Sequence, residues 1–178
     1  MYFTGKGDKG TSSLYNLSER ISKADEIFEV LGSLDELNSY LGLASIEALE
    51  IGFVYNIIKK TQQNLFIVQA YFAKSNIEIP ENILQETEDI IEDISKKIKL
   101  RNSFVLSGGS RLSALLDVSR TLARKTERRA VSLNDRYRNN LDEKVFAYLN
   151  RLSSLLYVLA RFANDYNDLE EDKPNYNK

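Results

Sequence analysis

The segment EKVFAYLNRLSSLLYVLARFANDYN, Glu143 to Asn167, carries apolar side chains over most of a helical circumference. A helix that is apolar nearly all round is buried, so other elements must enclose it. The rest of the chain supplies four more helices. Apolar-periodic stretches run from about Ala24 to Glu50, Gly52 to Lys74, Glu81 to Leu100 and Ser110 to Leu133. Only two prolines interrupt 178 residues. In the first helix Ser22 is the expected cap and Asp25 its capping-box partner, with Ile27, Leu31, Leu34 and Leu41 on the core face and Gly32 tolerated inside. Pro80 is expected in the first turn of the third helix. That helix has a narrow stripe of Ile83, Ile90, Ile91, Ile94 and Ile98 beside many carboxylates, which places it at an edge. Short polar joints between five helices imply an all-α fold, an antiparallel five-helix bundle of ferritin-like topology. The tail, Leu169 to Lys178, is acidic and then Pro- and Asn-containing, and is expected to fray.

Composition bounds the chemistry. With 43% hydrophobic and 28% charged residues, the chain can bury one core and reads as a single domain over residues 1–178. No apolar run approaches a bilayer span and the amino terminus lacks a secretory segment, so the expected location is the cytoplasm, with no membrane partner. The absence of cysteine and histidine removes disulfides, thiolate metal sites and the commonest catalytic base. Di-iron chemistry of the ferritin type is excluded in its usual form, because Glu-x-x-His needs a histidine. A net charge of -2 offers no bulk field for nucleic acid.

Positive charge is local instead. Arg120, Arg124, Glu127 and Arg128 fall at i, i+4, i+7 and i+8, sharing roughly a quarter of a helix surface, with Leu115, Val118 and Leu122 pointing the other way. Guanidinium forks held on one face suit phosphate oxygens. The alternative is a solvated charged face. The amino-terminal loop, residues 1–22, is irregular: Thr4-Gly5-Lys6-Gly7-Asp8-Lys9-Gly10-Thr11-Ser12-Ser13 combines glycines, lysines and hydroxyls. Such a loop can turn successive backbone N–H groups onto an anion, although a mobile leader has the same composition. It is a poor Walker A loop, since Thr11 stands where the lysine belongs and no strand precedes it. Asp35 sits among apolar neighbours, either as an exposed acid or at a contact that supplies a cation. Asn150 interrupts the apolar fifth helix, as a core amide bonded to a neighbouring helix or as a ligand group.

These pieces together resemble a known family. The leader from Thr4 to Thr11, Gly32-Ser33-Leu34-Asp35-Glu36-Leu37-Asn38, Phe104-Val105-Leu106-Ser107-Gly108-Gly109-Ser110, the run Arg120 to Arg128, and Tyr148-Leu149-Asn150-Arg151-Leu152-Ser153 look like the PduO-type ATP:cob(I)alamin adenosyltransferases. The likeness runs in order from residue 2 to about residue 165. It implies a homotrimer with active sites between subunits, and transfer of the 5′-deoxyadenosyl group of ATP to cob(I)alamin with release of triphosphate and use of Mg2+. A reductase and a cobalamin-dependent acceptor enzyme are implied as partners.

Carried onto this sequence, the resemblance makes Thr4, Gly5, Lys6, Gly7, Asp8, Lys9, Gly10, Thr11, Ser12, Ser13 and Lys23 the triphosphate wrap. Arg124, Glu127, Arg128 and Asn150 would complete the ATP site. Arg120 would pair with Asp35 across the subunit interface on the corrinoid side, and Phe104 would press on the lower corrin face, displacing the axial base. Three positions depart from the family pattern: Ser107 replaces proline, Asp117 histidine and Lys125 arginine. Two rival readings use other features. A nucleotide pyrophosphohydrolase would hold magnesium on Glu86, Asp89, Glu92 and Asp93, and a non-catalytic adaptor would use the basic helix only for docking.

Overall fold

The computed structural model of the chain describes residues 2–98, 103–137 and 141–176. Within them lie five helices and one small hairpin. The hairpin pairs β1 (Thr11–Ser12) antiparallel to β2 (Ile21–Ser22), and the helices are α1 (Glu26–Glu47), α2 (Gly52–Phe72), α3 (Ile83–Ser95), α4 (Arg111–Tyr137) and α5 (Glu143–Tyr166).

Helix starts follow from local side-chain acceptors. Asp25 caps α1 by accepting from the Ile27 N–H, and Asp142 caps α5 by accepting from Lys144. Ser110 accepts from the Ser113 N–H at 3.1 Å and so caps α4. Each satisfies a donor that a helix start leaves open. Ser22 is not the cap of α1. It belongs to the hairpin, and the carboxylate of Asp25, placed one residue before the helix, takes the capping role itself. Pro80 likewise lies ahead of α3: its carbonyl accepts from Ile83 in a preceding turn. Helix α3 is shorter than expected, ending at Ser95, and Leu100 lies outside the described residues. Helix α4 runs four residues beyond Leu133, to Tyr137, whose hydroxyl donates to the capping Asp25 at 3.1 Å.

Helix α5 packs against α4 on one side and α3 on the other, while α1 joins α4 to α2. Cross-helix pairs fix the directions. Gln62 donates to the Asn38 carbonyl and Gln69 to that of Leu31, so α1 and α2 are antiparallel. The pairs Glu29–Arg129 and Glu36–Lys125 make α1 and α4 antiparallel as well. Helices α3 and α5 run the same way, as alternate members of an up-and-down order, with Glu81 meeting Lys144 and Glu88 meeting Arg151. The core gathers Val30, Leu34, Leu37 and Leu41 of α1, Ile58 and Leu65 of α2, and Leu149, Leu152 and Leu156 of α5. Burying each such leucine contributes roughly 2 kcal/mol. Leu31, Ile90 and Ile91 are only partly buried.

Helix α4 inverts one expectation. Its core side is Leu116, Ser119, Ala123, Thr126 and Ala130; Leu115 and Leu122 are half-buried at a flank and Val118 is exposed. Small side chains occupy the crowded side because α4 is sandwiched between α1 and α5, and its hydroxyls spend their donors locally or across the seam. Ser119 donates to Leu115 O, and Thr126 donates to Ser33 O on α1.

The carboxyl-terminal tail, over the residues described, touches the bundle at more than one point. The Leu106 N–H donates to Asp172 O at 2.8 Å, and Asn164 donates to Glu171 at 2.9 Å. Glu171 meets Arg161 and Asn164 on α5, while Leu169, Glu170, Asp172 and Lys173 are exposed.

Candidate active site

Two cavities share one face of α4. The first, about 270 Å³, is lined by Arg124, Glu127, Arg128, Val131 and Asn150. Helical spacing puts the two arginines one turn apart at the rim, both exposed. Asn150 projects from α5 and donates to Glu127 at 2.8 Å, while its own oxygen accepts from Arg151 at 3.0 Å. It is an exposed amide at the cavity wall, not a core amide. Glu127 is thereby fixed between the two helices. The arrangement presents forked cations with one ordered carboxylate, suited to a polyphosphate carrying a cation.

The second cavity, about 480 Å³, is lined by Ser103, Phe104, Val105, Arg120 and Tyr157. Phe104 is 79% exposed, which leaves a large aromatic ring without protein cover. A ring held that way on a loop wall is a surface for a flat apolar ligand. Arg120 closes the other wall, its Nε 3.2 Å from Asp117 Oδ1. Arg120 and Arg124 are one turn apart, about 6 Å along the axis, so the two cavities are neighbours.

The loop that carries Phe104 is built by Gly108 and Gly109, both at positive φ (131° and 97°). A Cβ on Gly109 would collide with the Asn164 amide, whose oxygen accepts from the Ser110 N–H and whose nitrogen donates to Gly108 O. Glycine is therefore required there by space as well as by backbone angle. Below it, Asp117 and Arg161 form a buried ion pair at 2.6 Å, 4% and 6% exposed. Removing one partner of such a pair leaves a stranded charge, at a cost of about 3 to 5 kcal/mol.

The glycine-rich leader is a pair of tight turns ahead of β1, where the Asp8 N–H donates to Gly5 O and the Gly10 N–H to Gly7 O. Gly5 and Gly10 adopt positive φ, Lys23 N–H donates to Gly10 O, and a Cβ on Gly7 would approach the Lys23 Nζ to 3.0 Å. Thr4, Lys6, Asp8 and Lys9 thus lie on or beside the turns ahead of the hairpin, Ser12 in its first strand and Ser13 at the start of its loop. Arg20 clasps this segment, donating to Lys6 O and Thr11 O at 2.6 Å each and to Thr11 Oγ1 at 3.0 Å. Sequence reasoning missed Arg20, whose one signal was a cation at the start of the returning strand. It missed Tyr157 too, since a tyrosine on an apolar helix resembles core.

Within one protomer the leader and the arginine face share no described bond or cavity wall. Asp35 is exposed on α1 and has no ion pair among the described residues, so it does not meet Arg120 inside the protomer. Lys125 points to α1, bound to Glu36 at 2.7 Å, and is absent from the arginine cavity. The acidic α3 is dispersed: Glu86 pairs with Lys60, Glu92 with Lys96, and Asp89 accepts from Gln85. No group of three acidic side chains able to hold a metal occurs among the described residues, which removes the structural basis of the pyrophosphohydrolase reading. No helix of the described residues is long and apolar enough to cross a membrane.

Comparison with known proteins agrees with this geometry. The cobalamin adenosyltransferase family matches residues 2–163. A corrinoid adenosyltransferase of Mycobacterium leprae is 34% identical over 94% of this chain and 93% of its own length, and the human corrinoid adenosyltransferase MMAB is 33% identical over 90% and 68%. Among solved structures, a variant PduO-type ATP:corrinoid adenosyltransferase from Lactobacillus reuteri, complexed with cobalamin and ATP, superposes with a TM-score of 0.88 at 25% identity, covering 98% of this chain and 99% of that one.

Proposed function

The chain belongs to the cobalamin adenosyltransferase family, and from that premise we propose how its two cavities carry out ATP:corrinoid adenosyl transfer. The enzyme transfers the 5′-deoxyadenosyl group of ATP to cob(I)alamin, forming adenosylcobalamin and triphosphate. The observation that carries the assignment is the adjacency of an arginine cavity and an aromatic cavity on one face of α4. A triphosphate in the first sets its ribose toward a corrin in the second.

The cobalt(I) electron pair attacks the ribose C5′, the Co–C bond forms, and the C5′–O bond breaks with its pair leaving on triphosphate. Cob(I)alamin is nucleophilic enough to need no protein base, so a chain without histidine or cysteine suffices. What the protein must supply is alignment and cationic stabilisation of the leaving group. Arg124 and Arg128 do this with charge-assisted hydrogen bonds, each contributing about 1.5 to 3 kcal/mol. Phe104 offers bulk without a donor atom beneath the corrin, which favours loss of the lower axial ligand.

Assembly completes the site in this reading. The leader with Lys23 and the carboxylate of Asp35 come from a neighbouring copy in a homotrimer, the leader onto the arginine face and Asp35 onto Arg120. What supports this is their separation from those partners inside one protomer, together with Asp35 lying exposed and unpaired among the described residues. Mg2+ would travel with the triphosphate, with Glu127 as the carboxylate at hand, since magnesium is commonly held by one or two carboxylates plus phosphate oxygens. We place the enzyme in the cytoplasm, served by a reductase and feeding a cobalamin-dependent acceptor enzyme. The decisive experiment mixes the protein, ATP and chemically reduced cobalamin and follows the absorbance change to light-sensitive alkylcobalamin. No ATP-dependent change would overturn the assignment.

A further inference from the structure

A line of alternating charges crosses the end of the bundle, from the carboxyl-terminal tail to the wall of the aromatic cavity. Glu171 Oε1 lies 2.9 Å from Arg161 Nε, Arg161 Nη2 lies 2.6 Å from Asp117 Oδ2, and Asp117 Oδ1 lies 3.2 Å from Arg120 Nε. Asp117 and Arg161 are almost wholly buried and Glu171 is 12% exposed, so these contacts are shielded from solvent and salt. A carboxylate with two oxygens can hold two guanidinium groups at a fixed separation. Among the described residues Arg120 is bonded only through its Nε, to Asp117, which leaves both terminal nitrogens for a ligand or a second carboxylate.

The same tail touches the cavity by a second route. Leu106, two residues beyond Phe104, donates its N–H to Asp172 O, and Arg161 stacks over the Tyr157 ring at 5.1 Å. Phe104, Tyr157 and Arg120 are three of the five residues lining the aromatic cavity. The tail therefore anchors both the loop and the arginine from beneath.

We infer that Glu171, Arg161 and Asp117 are positioning residues that set the direction of the Arg120 guanidinium, and so make corrinoid binding depend on the docked carboxyl-terminal tail. The inference rests on the assignment of the aromatic cavity to the corrinoid. None of the three touches substrate; each acts through the next, and only Arg120 reaches the ligand. A docked tail holds Arg120 in one rotamer, whereas a released tail frees Arg161 to draw Asp117 away from it.

Steady-state kinetics on the full-length chain test this, with cob(I)alamin and ATP varied separately. Glu171→Gln, near the surface, removes the outermost charge without emptying the buried pair. The expected result is a rise of about 3- to 10-fold in KM for cob(I)alamin, with KM for ATP within about twofold. Combined with Arg120→Ala, Glu171→Gln should add no further loss, because residues acting in series are not additive. Asp117→Asn should move the same constant further; if it does not fold, the Glu171 and Arg120 cycle still decides. Equal rises in both KM values, a lowered melting temperature with unchanged kinetics, or full additivity with Arg120→Ala would each overturn the inference. Failure of the unaltered chain to alkylate cob(I)alamin would instead strike the functional assignment, and this inference would fall with it.

Discussion

Asn150 of α5 donates to Glu127 of α4 across 2.8 Å, so the carboxylate between Arg124 and Arg128 is held by the neighbouring helix and not by either arginine. Both arginines are exposed and line the cavity beside it.

That arrangement predicts separable effects on substrate use and stability. Arg124→Ala or Arg128→Ala should raise KM for ATP or lower turnover by about tenfold or more while changing unfolding free energy by less than about 0.5 kcal/mol, because both side chains are exposed. Asn150→Ala should show a smaller loss, since it frees Glu127 to compete for the arginines. Isothermal titration with ATP and urea denaturation together check the split, and unchanged ATP binding and turnover would reject the role.

Phe104 gives a prediction about metal oxidation state. Phe104→Ala should impair adenosylation when Co(II) has to be reduced on the enzyme, but much less when Co(I) is supplied, because loss of the lower ligand matters for the reduction step. Equal losses in the two assays would refute it.

Intersubunit completion can be tested by mixing. Lys23→Ala and Arg124→Ala chains, each impaired alone, should gain activity above either when refolded together, since about one site in four then combines an intact leader with an intact arginine face. Activity that stays at the level of the separate variants would place both residues in one subunit.

Tyr148 offers a pH prediction unconnected with catalysis. Its hydroxyl is buried, and no hydrogen-bond partner is found for it among the described residues. Burial raises its pKa above that of a free phenol, an effect the nearby Asn64 only partly opposes. The unfolded chain then releases a proton near pH 10 that the folded one keeps. This contribution to stability is fully present below that pH and declines as pH rises, by up to about 1.4 kcal/mol per pH unit for one proton. Tyr148→Phe should flatten that decline in melting experiments between pH 9 and 11, roughly estimated from the ordinary phenol range. An unaltered slope would show that the phenol ionises equally in both states.

Apolar periodicity reads well where one side of a helix is plainly wet. Helix α2 begins at Gly52 and α5 at Glu143, as their patterns indicate, and the isoleucine stripe puts α3 at the edge. Helix α4 reads less well, because its crowded side uses serine, alanine and threonine while its larger apolar residues sit at the flank; periodicity follows size, and here size is inverted. The arginine cavity was legible, since Arg124, Glu127 and Arg128 need only helical spacing to converge. The clasp by Arg20 and the docking of the tail were not, as both depend on long-range contacts between segments whose composition suits solvent equally well. Asn150 was legible as a polar break in the fifth helix but not in depth, because an amide within an apolar stretch does not announce which side it faces.

The methyl-sized side of α4 has a further consequence. Ala123, Thr126 and Ala130 let the helix axis lie close to α1 and α5 with no slack to absorb added volume. Enlarging Ala123 to leucine would push the axis outward, at about 1 to 3 kcal/mol, and shift Arg120 and Arg124 together relative to Phe104 and Asn150. Under the proposed function, the alignment of nucleotide and corrin is thus inherited from residues that touch neither, and selection on the reaction reaches into the interior of the bundle.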